Sequence, residues 1–126
     1  MRQLGELEAK VMDRIWADER PVLVREILEE LQGQRSLAYT TVMTVMDNLH
    51  RKGLLRRVRE GRAYRYSAVQ TKEAYTAKLM EEVLATSTDR SATLMHFLEH
   101  MAQDDLQQLK SAVAKARRSR SRGARP

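Results

Sequence analysis

No cysteine occurs among the 126 residues, which excludes disulfides and thiolate metal sites and fits a reducing compartment. Long apolar runs are missing as well. The longest uncharged stretch, Ser36 to Met46, is well short of the ~18 apolar residues that a membrane span requires. The opening Met1-Arg2-Gln3-Leu4-Gly5-Glu6 has no basic segment leading into an apolar one, so no secretory signal is expected. No glycine-rich phosphate loop is present, nor a nucleophile with a base beside it. No enzyme activity and no cofactor are therefore expected, and a soluble cytoplasmic protein without membrane insertion is the default. The length suits one or two small domains. A domain of about 50 residues often needs a partner to bury enough surface.

What is abundant is positive charge, and it is concentrated. Residues 51–65 carry Arg51, Lys52, Arg56, Arg57, Arg59, Arg62 and Arg65 against the single acid Glu60, a net of +6. Residues 117–126 carry five arginines and no acid, a net of +5. The whole chain is only +6, so the remainder is acidic. Such focusing draws a polyanion to two places and repels it elsewhere.

Apolar spacing predicts a helix over residues 5–18, with Leu7, Val11 and Ile15 beside Leu4, Met12 and Trp16. Pro21 interrupts, and Pro21-Val22-Leu23 suits a short strand. Val24, Ile27, Leu28 and Leu31 mark a second helix over 24–32, ended by Gly33. A third helix starts near Ser36, carries the stripe Val42, Val45, Met46 and Leu49, and meets a left-handed cap at Gly53. Strands follow at about 54–59 and 62–68, turning at Glu60-Gly61. From Thr71 onward the pattern is helical, with a break at Thr86-Ser87-Thr88-Asp89 and a last helix over about 103–116.

The fold class expected is mainly α. A winged helix-turn-helix with a small β-hairpin wing fills residues 1–69, and a three-helix domain fills 70–116. Three short helices with wide apolar faces cannot build a sufficient core alone. Leu79, Val83, Leu94, Phe97, Leu98, Leu106, Leu109 and Val113 are therefore expected to face a second copy in a homodimer. Residues 117–126 have nothing to bury and are expected to be disordered.

The order helix, glycine, basic hairpin suits a double-stranded DNA binder. Thr40, Thr41, Thr44 and Asn48 line the solvent side of the third helix. Hydroxyls and amides there can reach phosphates or base edges. An ordinary solvated face would be filled with Glu and Lys, whereas three threonines are poor helix formers. Tyr39, at the helix start, suits either stacking on sugar-phosphate or anchoring in the core. Arg51 and Lys52 are expected to hold the DNA backbone, and they also complement the helix dipole. Arg62 and Arg65 are expected at phosphate or the minor groove. The crowding of seven cations costs stability that a polyanion would relieve. Tyr64 and Tyr66 read first as hairpin packing, with Tyr64 kept as a contact at the wing.

His96-Phe97-Leu98-Glu99-His100 matches the H-x-x-E-H pattern of inverted zinc peptidases, and i, i+4 spacing puts both imidazoles on one helical face. A catalytic site needs a third ligand and a cleft. The only other histidine is His50, and two surface histidines are the simpler reading, with no metal expected. A winged helix serving as a protein-interaction module is the other rival.

Ala38-Tyr39-Thr40-Thr41-Val42-Met43-Thr44, Leu49-His50-Arg51-Lys52-Gly53-Leu54 and Gly61-Arg62-Ala63-Tyr64-Arg65-Tyr66 resemble the BlaI/MecI penicillinase-repressor family. So do Leu4-Gly5-Glu6-Leu7-Glu8, Val11-Met12 and Ile15-Trp16. The resemblance reaches to about Lys115. It implies a dimeric transcriptional repressor that binds pseudo-palindromic operators at resistance or stress genes. It also implies release by proteolysis in the C-terminal domain, triggered indirectly by a membrane sensor of the BlaR/MecR type. Well-known members of the family are cut at an Asn-Phe bond; the matching bond here is His96-Phe97. Copper-responsive relatives carry a C-terminal Cys-x-Cys, which this chain lacks. The arginine tail is outside the family pattern.

Overall fold

A computed structural model describes residues 4–33 and 36–123. Its elements are α1 (Glu6–Ala17), α2 (Val24–Leu31), α3 (Tyr39–Arg51), β1 (Leu55–Glu60), β2 (Ala63–Ala68), α4 (Lys72–Ala85), α5 (Arg90–Glu99) and α6 (Gln103–Gly123). The chain divides into two compact units, residues 1–82 and 83–126, with the boundary inside α4.

Unit one is built on the apolar spacing of its three first helices. Val11, Met12 and Ile15 of α1, Val24, Ile27 and Leu31 of α2, and Val42, Met46 and Leu49 of α3 all bury. Leu55 and Tyr66 of the hairpin close the cluster, together with Val22. Two helix starts use half of a capping box. The Glu8 carboxylate accepts the Gly5 backbone N–H at 3.0 Å, and Glu26 accepts that of Leu23 at 2.7 Å. The third start falls near Ser36, at the later end of what the sequence suggests. It is Tyr39, preceded by Ala38, and no side chain caps it.

Leu54 and Gly53 follow α3 as expected, and Gly53 takes the left-handed φ of 83° that a helix stop of this kind requires. The hairpin pairs Leu55 with Ala68 through Glu60 with Ala63. The turn is therefore Gly61-Arg62, one residue later than the Glu60-Gly61 read from sequence. Gly61 has φ 62°, and among the described residues no non-glycine residue has positive φ. A glycine at the first of two central positions is the type II′ preference. The short strand expected at Pro21-Val22-Leu23 shrinks to one bridge, with Val22 and Tyr66 exchanging two backbone hydrogen bonds of 2.8 Å. Pro21 has no N–H to extend it, and Leu23 already belongs to the start of α2.

The first turns of α4 belong to unit one, beyond the boundary at 69 read from sequence. Thr71 caps α4 by accepting the Ala74 N–H at 3.0 Å. Tyr75 packs on Trp16 with centroids 5.4 Å apart, and the Trp16 indole N–H donates to the Gln70 carbonyl at 3.0 Å. Burial, then the carboxylates of Glu82 and Glu8, push the Tyr75 hydroxyl above its ordinary range while Lys52 opposes them. The ring stays neutral at physiological pH. Leu79 is half-buried here and lines a cavity of about 160 Å³ with Leu4, Leu54 and Tyr75.

Unit two holds the end of α4 with α5 and α6, separated by non-helical residues 86–89 and 100–102. Asp89 caps α5 by accepting the Ala92 N–H at 3.1 Å. No described residue from 83 to 121 is buried. Val83, Leu94, Met95, Phe97 and Val113 are exposed, and Leu98, Leu106 and Leu109 are half-exposed. The tail expected to be disordered is a correction: α6 continues through residues 117–123. Arg is a strong helix former, and no Gly or Pro interrupts the helix before Gly123. Residues 124–126 lie outside the described residues.

Candidate nucleic-acid interface

α3 has two sides with different tasks. Val42, Met46 and Leu49 face the core, while Tyr39, Thr40, Thr41, Thr44, Asn48 and Arg51 are exposed. The choice left open for Tyr39 falls to the surface, where the residue is 47% exposed. The start of α3 also presents backbone N–H groups that no side chain caps. An uncapped helix start of this kind favours an anion.

The wing is locked against α3 through one carboxylate. Asp47 Oδ1 accepts from Arg57 Nη1 at 3.0 Å, and Asp47 Oδ2 pairs with Arg51 Nη2 at 3.1 Å. Arg57 in turn lies 4.2 Å above the Tyr64 ring and donates to the Tyr66 hydroxyl at 3.4 Å. The bond to Tyr66 is the largest influence pushing the Arg57 guanidinium above its ordinary range; burial opposes it and Asp47 adds to it. Tyr64 and Tyr66 meet edge to face at 6.4 Å. Both tyrosines thus pack the hairpin, and Tyr64 keeps part of its surface open.

The cation crowding read from sequence is largely relieved within the fold. Lys52 Nζ meets Glu8 Oε2 at 2.7 Å, tying the end of α3 to α1. Arg65 meets Glu60 at 2.6 Å, Glu26 at 3.5 Å and the Pro21 carbonyl at 3.3 Å. Arg56 donates to the Val69 carbonyl and Arg59 to that of Gly61. Acids distant in sequence reach these cations in space, so self-repulsion in the 51–65 segment is a weaker argument for a polyanion than charge counting suggests. Arg62 stands apart. It is exposed at the tip of the wing and has no ion pair or side-chain hydrogen bond among the described residues.

Sequence reasoning overlooked Arg25. It is the second residue of α2, exposed and likewise unpaired among the described residues. Arg25, Arg62, Tyr39, Met43 and Tyr64 line one groove of about 560 Å³ between α2, α3 and the wing. A signal was available: a cation in the first turn of a helix opposes the helix dipole, where acids are favoured. An arginine held there against that field has another reason to be present.

The zinc pattern does not assemble. His96 Nδ1 is 4.0 Å from Glu99, and His100 Nδ1 lies 2.9 Å from the carbonyl oxygen of His96 in its own helix. Among the described residues, no group of three or more His, Asp or Glu side chains is placed to hold a metal. No helix among them is long and apolar enough to cross a membrane.

Comparison with known proteins agrees with this geometry. A family profile described as penicillinase repressor matches residues 4–115. Over 117 residues the chain is 41% identical to the transcriptional regulator BlaI of Mycobacterium tuberculosis, in both strain CDC 1551 / Oshkosh and strain ATCC 25618 / H37Rv. That alignment covers 90% of this chain and 85% of the relative. The solution structure of the DNA-binding domain of the repressor BlaI matches with a TM-score of 0.51 at 27% identity, covering 58% of this chain and 88% of that one. H. salinarum RosR matches with a TM-score of 0.51 at 18% identity, covering 94% and 97%, a likeness of fold alone.

Proposed function

This chain belongs to the penicillinase repressor family, and from that premise we propose that it is a cytoplasmic, DNA-binding transcriptional repressor that works as a homodimer. One observation carries the reading. The hydroxyl and amide residues of α3 are exposed while its apolar stripe is buried, beside a wing whose tip arginine is unpaired. Thr40, Thr41, Thr44 and Asn48 read base edges in the major groove. Arg51, Arg62 and Arg25 hold phosphate, flanking Tyr39 and Tyr64. Lys52 and Arg65, bound to Glu8, Glu26 and Glu60, fix the positions of α3 and the wing.

Two such helices in a two-fold dimer reach successive major grooves ~34 Å apart, which demands a pseudo-palindromic operator. The apolar residues left uncovered in α5 and α6, with Val83, supply the pairing surface. Release follows from cutting the His96-Phe97 bond, set in motion by a BlaR/MecR-type membrane sensor. Both residues are exposed, but they sit inside α5, so that turn must open before a protease can act.

The test is a footprint on DNA upstream of the protein's own gene. Two protected half-sites, related by two-fold symmetry and one or more helical turns apart, are expected. Absence of protection there would point instead to a protein-interaction module. Two substitutions divide the labour. Thr44→Ala is expected to weaken operator binding by about 1–3 kcal/mol and leave random duplex unaffected. Equal losses on both would refute base readout. Arg62→Ala is expected to weaken both duplexes alike and to lower the salt slope by about 1 per subunit. An unchanged slope removes the wing tip from the interface.

A further inference from the structure

The last helix does not stop where the family match stops. The match ends at residue 115, and α6 runs on to Gly123. Four of the seven residues from 117 to 123 are arginine and none is acidic. Arg117, Arg118 and Arg120 are exposed, and none has an ion pair or side-chain hydrogen bond among the described residues.

At about 100° per residue these three guanidinium groups spread over roughly half the helix circumference. No Leu, Val, Ile, Met or aromatic residue follows Val113, so this end of α6 has no apolar side to bury. Like charges three and four apart destabilise a helix. Cations do favour a helix C-terminus through the dipole, but that effect fades within the last turn and does not account for four arginines. A helix of this kind is completed by a polyanion.

We propose that residues 117–123 form a second phosphate-binding element, a cationic helical arm that grips duplex DNA outside the base pairs read by α3. The proposal rests on the DNA-binding reading above. A membrane surface is the less suitable polyanion, because an interfacial helix needs an apolar face to enter the acyl boundary. The arm supplies affinity without sequence preference, since guanidinium groups on phosphate release counterions whatever the bases are. It gives the protein a hold on DNA flanking its operator.

The test uses the full chain carrying R117Q/R118Q/R120Q, which removes three charges and keeps good helix formers. A companion carries Lys at the same positions. Binding is measured by anisotropy on a short operator duplex and on the same operator with long random flanks. On the flanked duplex the Gln variant is expected to lose about 2–3 per subunit from the log–log salt slope. The advantage of the parent over the variant then shrinks about 40-fold for each engaged arm between about 50 and about 200 mM salt. The Lys variant keeps the parental slope, and footprints of both variants match the parent. An unchanged slope for the Gln variant, with the operator footprint intact, overturns the arm alone. So does loss of binding to phosphatidylglycerol vesicles without any change on DNA. No footprint from the parent sinks the arm and the repressor reading together.

Discussion

Ended after Ala85, the chain is expected to be a monomer whose operator affinity falls by about 100- to 10,000-fold. Among the described residues, the buried core lies between Val11 and Tyr66, and the truncation keeps α4 with Tyr75 against Trp16. Unit one should therefore remain folded, with every residue assigned to DNA contact in place except the arginine arm. What disappears is the linkage of two half-site readers. A second half-site held by the same dimer binds at high effective concentration, whereas two free monomers each face the full entropic cost of association. Sedimentation, operator anisotropy and the unfolding midpoint read from Trp16, the single tryptophan, decide the matter. A truncated chain that still sediments as a dimer, or that binds the operator as tightly as the parent, ends the argument for pairing through residues 83–113. The cleavage proposed at His96-Phe97 would act by the same physics, disabling the linkage and leaving α3 untouched.

Leu49→Ala is expected to remove about 2–5 kcal/mol of stability from unit one. Leu49 is 0% exposed and lies on the inner side of α3 among Val42, Met46, Leu55 and Tyr66. Its removal leaves a cavity at the junction of α3 and the hairpin, and the surrounding atoms relax only in part. Domains of this size have about 5–15 kcal/mol in total, so a large fraction of the molecules unfold on modest warming. Urea titration followed at Trp16 gives the loss directly. Operator and random-duplex binding fall together in this variant and recover on cooling or by adding excess operator, which binds only the folded state. Thr44→Ala, one turn away on the other side of the same helix, shows the opposite pattern, with stability unchanged and operator affinity reduced. A Leu49→Ala protein as stable as the parent would mean that α3 is not held by its buried stripe.

The helices of unit one were legible because their buried positions repeat at helical spacing. Val11 and Ile15, Val24, Ile27 and Leu31, and Val42, Met46 and Leu49 all appear in the sequence as stripes and in the fold as core. Gly53 was legible for a different reason, since a helix that stops in a left-handed residue selects glycine. The turn at Gly61-Arg62 was misplaced by one residue, because register in a short hairpin depends on which strand residues pair, and Tyr66 is drawn into the core by Val22. The end of α6 was misread because a run of Arg and Ser has nothing to bury, although arginine itself favours a helix.

The candidate interface separates along the same line. By itself the amino-acid order determined that α3 has a hydroxyl-bearing side, that a basic hairpin follows it, and that the chain lacks thiol chemistry, since side-chain type and local periodicity suffice for these. Only the tertiary structure decided which cations remain available. Glu8, Glu26 and Asp47 approach Lys52, Arg65 and Arg57 across gaps in sequence of 44, 39 and 10 residues, while Arg62 and the overlooked Arg25 line one groove. The reason is physical: charge neutralisation acts through distance in space, and a count along the chain contains no such distances.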